Sequence, residues 1–143
     1  MIARTSLCRA SLCLALMLVT GCACRPTLRT CSALNAAPSL QVTLMFGMMR
    51  SDGRPVPESA WQAFLRTDIT PRFPNGLTVL PAQGQWRERA TGAIQSEPSR
   101  LVWIVTSDTA HLSQRLEAIR AAWRSRFDQQ SVGVSLTAAC SAF

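Results

Sequence analysis

Leu101-Val102-Trp103-Ile104-Val105-Thr106 is an unbroken run of β-branched, aliphatic and aromatic residues, which reads as a strand with little polar surface on either side. Asp108 follows as a helix-capping candidate. Leu112, Leu116, Ile119, Trp123 and Phe127 then recur at spacings of three and four, so the spacing predicts a helix with one apolar stripe. Val132-Gly133-Val134-Ser135-Leu136 alternates and predicts a half-buried strand. The same order appears upstream. Val42-Thr43-Leu44-Met45-Phe46 is a strand closed by Gly47 and a turn at Ser51-Asp52-Gly53. From Glu58 a helical stripe runs through Trp61, Phe64, Leu65, Ile69 and Phe73, with Pro71 kinking its last turn and Pro74-Asn75-Gly76 ending it. Leu77-Thr78-Val79-Leu80 is a strand that Pro81 assigns to an edge, continuing to Trp86 before a turn at Arg89-Ala90-Thr91-Gly92.

Strand, helix, strand, strand, helix, strand is two split βαβ units. With right-handed crossovers they give an α+β fold, the ferredoxin-like βαββαβ arrangement: a four-stranded antiparallel sheet with two helices on one face. The first and third strands are then central, which suits their continuous apolar runs, and Pro81 lies in an edge strand.

The 143 residues are 48% hydrophobic and 16% charged, which suits one small globular domain and argues against disorder or a coiled coil. All 15 basic residues are Arg, so Schiff-base chemistry, pyridoxal phosphate and a Walker A lysine are excluded. A single His, at 111, excludes a zinc site built from several imidazoles. The net charge of +7 falls to +5 without the first 21 residues (13 Arg against 8 acids), and to +3 beyond Leu40 (11 against 8). No basic run with interleaved aromatics survives, so no nucleic-acid partner is expected.

Residues 1–21 carry Arg4 and Arg9, an apolar run from Leu12 to Val19 and small residues at the end, the layout of a secretory signal peptide. The run is too short for the roughly 20 residues of a spanning helix. Val19-Thr20-Gly21-Cys22 resembles the bacterial lipobox, with Val in place of the usual Leu. That resemblance makes Cys22 the lipidated first residue of the mature protein, anchored to a membrane by two or three acyl chains. Ala23 rather than Asp after it favours the outer membrane, periplasmic side, in a Gram-negative host. Residues 22–40, aperiodic and proline-bounded, read as a lipidated tether, leaving 41–143 as the folded domain.

Thr70-Pro71-Arg72-Phe73-Pro74-Asn75-Gly76-Leu77-Thr78-Val79, Gly84-Gln85-Trp86-Arg87, Glu97-Pro98-Ser99-Arg100 and Arg126-Phe127-Asp128-Gln129-Gln130-Ser131-Val132 resemble domain of unknown function 3574, a group of secreted or lipid-anchored bacterial proteins. The resemblance spans nearly all of 41–143 and includes Cys31 and Cys140. It implies no activity. Pro57 stands where the group often has a Ser or Thr helix cap.

Cys8 and Cys13 leave with the signal and Cys22 takes lipid, so Cys24, Cys31 and Cys140 remain in an oxidising compartment. The end of the fourth strand lies beside the start of the first, which predicts a Cys31–Cys140 disulfide. It closes a loop of about 109 residues, contributing at most about 4 to 5 kcal/mol by chain-entropy reasoning. The alternative, a metal site of three cysteines, lacks the paired ligand spacing of structural zinc. No metal and no cofactor are expected.

No catalytic constellation is visible, so the reading leans against an enzyme. His111 reads as a solvated imidazole and Trp61, Trp103 and Trp123 as core. Asp68, Glu88 and Asp128 read as helix-end or turn residues. Trp86, Arg87 and Glu97, across the long hairpin, either line a small pocket or contain a structural Arg87–Glu97 ion pair. The first strand offers Val42, Leu44 and Phe46 to one face and Thr43, Met45 and Gly47 to the other, and the third is apolar on both. Helices cover one side, so the other needs an occupant; Thr43, Met45, Val102 and Ile104 are its candidate contact residues. The expected function is a small envelope binding or assembly module, using the helix-free face for a homodimer or an envelope protein partner. The alternative is a small enzyme of dimeric α+β barrel type with a pocket for an apolar substrate.

Overall fold

Val42 pairs with Ile104 and Leu44 with Val102 at the centre of an antiparallel sheet, and all four side chains are buried. The computed structural model describes residues 31–143; the expected signal peptide, Cys22, Cys24 and the tether up to residue 30 lie outside the described residues. The strands are β1 (Ala37–Gly47), β2 (Thr78–Arg87), β3 (Ile94–Thr106) and β4 (Gly133–Ser141), in the order β2-β3-β1-β4. β1 pairs with β3 from Leu40↔Thr106 to Gly47↔Ser99, and with β4 from Ala37↔Ser141 to Met45↔Gly133. β2 pairs with β3 from Thr78↔Trp103 to Arg87↔Ile94, so Pro81 lies in an edge strand where its missing N–H is tolerated. Ala37–Leu40, read as tether in the sequence, are the first residues of β1 and are held by pairing to β4.

The first helical segment begins as α1 (Glu58–Phe64), widens into a π-helical turn at Leu65–Ile69 and tightens into a 3-10 turn at Thr70–Arg72. Pro71 has no N–H to close a regular turn and its ring crowds the carbonyl of residue 67, so the regular helix ends before it. The apolar stripe survives the change of pitch: Trp61, Phe64, Ile69 and Phe73 are buried. Pro57 leaves α1 without a side-chain cap. α2 (Leu112–Phe127) buries the whole of its predicted stripe. Asp108 does not cap it. Its Oδ1 accepts from the Ala110 N–H at 2.9 Å in the turn before the helix, and His111, exposed and in the left-handed region at φ 53°, is the cap residue.

The core gathers on Phe46. Its ring meets Trp61 of α1 at 5.4 Å and Trp123 of α2 at 4.9 Å, edge on, while Trp61 and Trp123 meet each other at 5.6 Å. The strand faces follow. Residues in register with Phe46, Leu44 and Val42 pack against the helical segments; those in register with Met45 and Thr43 form the outer face. Val102 and Ile104, expected on the outer face, are 0% and 1% exposed in the core. Trp103, expected in the core, is 41% exposed. Register is the physical reason: Trp103 sits opposite Thr43 and Leu101 opposite Met45. Thr43 and Met45 do lie on the outer face.

Cys31 and Cys140 form a disulfide, tying the residues before β1 to the end of β4. Among the described residues no helix is long and apolar enough to cross a membrane.

Candidate functional site

Glu97 sits in β3 opposite Gly84 of β2, on the outer face, and is 8% exposed. A carboxylate can be held there because its neighbours lack side chains. A Cβ added at Gly47 would stand 2.5 Å from Glu97 Oε1, and one added at Gly84 would stand 2.6 Å from Ser99 Oγ. The Met49 N–H donates to Glu97 Oε2 at 3.0 Å, and the Trp86 indole N–H also donates to the carboxylate. No arginine among the described residues forms an ion pair with it. Burial pushes the Glu97 carboxyl above the usual carboxylate range, against the two donors, which pull it down.

Two half-open cavities meet at this residue. One, of about 360 Å³, lies between the β1–α1 loop, the outer ends of β2 and β3, and the α2–β4 loop. The other, of about 400 Å³, runs over the outer face along Met45, Gly47, Ala82, Gly84 and Leu101. Trp86, Glu97, Gln129 and Gln130 border both. The sequence builds the shared rim locally. Asp128 takes the left-handed conformation at φ 52° and turns the chain out of α2, which presents Gln129 and Gln130 to the sheet end. The Gln129 amide donates to the Met49 carbonyl, the Ser51 hydroxyl donates to Asp128 Oδ2, and Gln130 Nε2 donates to Glu88 Oε1 at 2.8 Å. Arg50 rests over the Phe127 ring, 5.6 Å from its centroid. The charged residues of the first cavity are Arg50, Glu88, Glu97 and Asp128, three carboxylates against one guanidinium.

Of the residues singled out in the sequence, Trp86 and Glu97 come together and Arg87 does not. Arg87 pairs with Ile94 at the hairpin end, and its guanidinium reaches the Gly92 carbonyl at 3.4 Å. The anticipated Arg87–Glu97 ion pair is absent among the described residues, because adjacent strand residues point to opposite faces and Trp86 takes the Glu97 side. His111 lines neither cavity. Asp68 pairs with Arg126 at 2.9 Å, away from the site. Sequence reasoning missed Gly47, Gly84, Met49 and Gln129. Glycine inside a strand is a known sign of close approach by another group, and it was available at Gly47 and Gly84. Met49 and Gln129 reach the site through loop conformation alone.

Next to the cavities the outer face is apolar. Leu80, Leu101 and Met45 form a row across β2, β3 and β1, and Leu80 is 44% and Met45 38% exposed. Trp103 stands one pair further on, among Thr43, Thr78 and Ser135.

The family model described as "Protein of unknown function (DUF3574)" matches residues 41–143. No curated protein gives a significant match. Among solved structures, a phage SAM lyase in complex with S-methyl-5'-thioadenosine is similar, with a TM-score of 0.59 and 14% identity over 73% of this chain and 90% of that one. A phage SAM lyase in the apo state gives 0.51 and 16% over 75% and 86%. CutA from Synechococcus elongatus PCC7942 gives 0.46 and 14% over 73% and 80%. At these identities the likeness is one of fold alone.

Proposed function

The chain belongs to the DUF3574 family, and from that premise we propose that it is an exported, lipid-anchored binding module of the bacterial cell envelope that works through the outer face of its sheet. Residues 1–21 direct export and Cys22 carries the lipid, on the periplasmic side of the outer membrane in a Gram-negative host. The domain is of the ferredoxin-like βαββαβ type, with both helical segments on the Phe46 side. The strand order β2-β3-β1-β4 supports that assignment.

The observation that carries the reading is the Glu97 cleft, where a buried carboxylate without a cationic partner borders two cavities. The partner on the surrounding apolar surface is a second copy of the chain. Among outer-face positions of the paired strands Glu97 alone carries charge, and it is buried, so two such faces approach without like-charge repulsion despite the net charge of +5 that remains without residues 1–21. An apolar centre of Leu80, Leu101, Met45 and Trp103 rimmed by Thr43, Thr78, Ser135 and Thr137 has the anatomy of an interface. Sedimentation of the full chain in density-matched detergent tests this. Two copies per particle are expected, falling to one in Trp103→Glu; one copy in the parent chain defeats the pairing. Radiolabelled palmitate should enter the parent and not Cys22→Ser.

One observation favours a second reading, a small enzyme of dimeric α+β barrel type. Glu97, held above the ordinary carboxylate range by burial and bordering a cleft, has the placement of a general acid or base.

A further inference from the structure

We infer that the Glu97 cleft takes an aliphatic ammonium ion, its charged head against the Glu97 carboxylate and its chain along Trp86, Ala82 and Gly84. The inference rests on the cleft being a binding site, as proposed above, and adds the chemical class of what fills it.

Three features on the molecule converge on that class. A carboxylate taken out of water needs compensation for its lost hydration, and two N–H donors supply only part of it. Met49 N–H and the Trp86 indole N–H leave further lone pairs on a carboxylate that has about four acceptor positions. A cation entering the cleft would use those and bring the missing charge. Secondly, the cavity surroundings select the sign. Arg50 on the β1–α1 loop, Glu88 after β2, Glu97 on β3 and Asp128 at the end of α2 leave the site short of positive charge, so anions are repelled. Arg50 is held over Phe127 and does not pair with Glu97. Thirdly, the lining beyond the carboxylate is uncharged and largely apolar, with Met45, Ala82, Gly84 and Leu101 along the floor and the Trp86 ring on one side. An indole face attracts a cation and covers a methylene chain equally well. A guanidinium fits less well. Its planar fork wants both carboxylate oxygens in the same plane, whereas Oε2 is already taken by the Met49 N–H and Oε1 lies over Gly47. A compact ammonium head needs no such fork.

Binding should strengthen as the pH rises through the Glu97 titration, because only the ionised carboxylate offers the charge. Glu88, whose carboxyl is held low by Gln130 and by the Ala90 N–H, remains ionised over that range.

The full chain in detergent, titrated with n-butylammonium, n-butanol and butyrate, tests the assignment. The readout is the Trp86 indole N–H resonance, identified by its loss in Trp86→Phe. Butylammonium should move it, while butanol and butyrate at the same concentration should not. Glu97→Gln should weaken the response at least about tenfold. Should Glu97→Gln fail to fold, Ala82→Leu, which fills the cleft and keeps the carboxylate, should abolish the response with the other three indole resonances unmoved. Equal movement with butanol overturns the ammonium assignment and leaves the cleft reading standing. So does a response in folded Glu97→Gln within about twofold of the parent. No movement with any of the three compounds overturns both.

Discussion

β1 and β3 present two faces of nearly equal hydrophobicity, and the molecule treats them in opposite ways. On the Phe46 face the Phe46 ring meets those of Trp61, Phe64 and Trp123, and Trp123 meets Trp61 and Phe64, with centroids 4.9 to 6.0 Å apart, and all four residues are fully buried. On the outer face Gly47, Gly84 and Gly133 leave hollows into which Glu97, Ser99 and Met45 lean. One face is filled with large side chains and is a source of stability. The other is built from small residues over which a polar group is held, which costs stability and leaves room for a ligand. Apolar content alone therefore does not tell a core from a binding face; what differs is whether volume is filled or spared.

The contrast is tested most severely at Trp123, which touches Phe46, Trp61, Phe64 and Phe127. Trp123→Ala should lose about 3 to 5 kcal/mol in urea unfolding, the cost of the removed ring plus a cavity its rigid neighbours cannot close. A loss below about 1 kcal/mol would mean that the Phe46 face is not the tightly packed side. The disulfide comes next. Cys140→Ser frees the end of β4 from the segment before β1 and should cost about 2 to 4 kcal/mol, a change that dithiothreitol should reproduce in the parent chain. Gly47→Ala should cost about 1 to 3 kcal/mol, since its new methyl meets a carboxylate pinned by two donors. The same substitution should displace the Trp86 indole resonance, which a purely local backbone effect would leave in place.

The periodicities 2 and 3.6 were enough to read the four strands, the stripe of α2 and the edge position of Pro81, because each follows from local sterics and burial. They could not decide which sheet face the helices cover. Val102-Trp103-Ile104-Val105 has no polar member to mark the solvent side, so the pattern places Trp103 in the core and Val102 and Ile104 on the surface; only the register with β1 reverses them. The site was half legible. Trp86 and Glu97 were picked out by type and position, whereas alternation along β2 alone would have separated Arg87 from them. The Met49 donor and the Gln129 clamp depend on how two loops fold over the sheet end, and no periodic signal encodes that.

Titration of Glu97 separates the faces by slope rather than size. Burial holds this carboxyl above its ordinary value, so over the interval between the two the folded chain keeps a proton that the unfolded chain has released. The stability this represents is complete below the ordinary glutamate range and is lost as pH rises through the raised value. Glu58, Glu88, Glu117 and Asp52 act in the opposite sense. Donors from Gln62, Gln130, Arg124 and Arg54 respectively hold them low, so their contribution is present above the ordinary range and disappears as pH falls. Unfolding free energies of parent and Glu97→Gln, measured from pH 4 upward, should therefore differ by a term that grows in favour of the variant as the Glu97 carboxyl ionises. A difference independent of pH would mean that the carboxylate is not held out of water.

The smallest effect is expected at Trp103, and its smallness is the point. A tryptophan within the packed face would cost about 3 to 5 kcal/mol on truncation. Trp103→Thr, at a position 41% exposed and opposite Thr43 and Thr78, should change the stability of the dilute chain by no more than about 0.5 kcal/mol, since threonine keeps the β preference and removes no packed neighbour. The effect of concentration should nonetheless differ. If two outer faces meet, the parent chain becomes harder to unfold as its concentration rises, because association draws on the folded state alone. Trp103→Thr should show a flatter dependence. A large loss at high dilution would instead make Trp103 part of the packed interior, and the two faces of this sheet would no longer differ in kind.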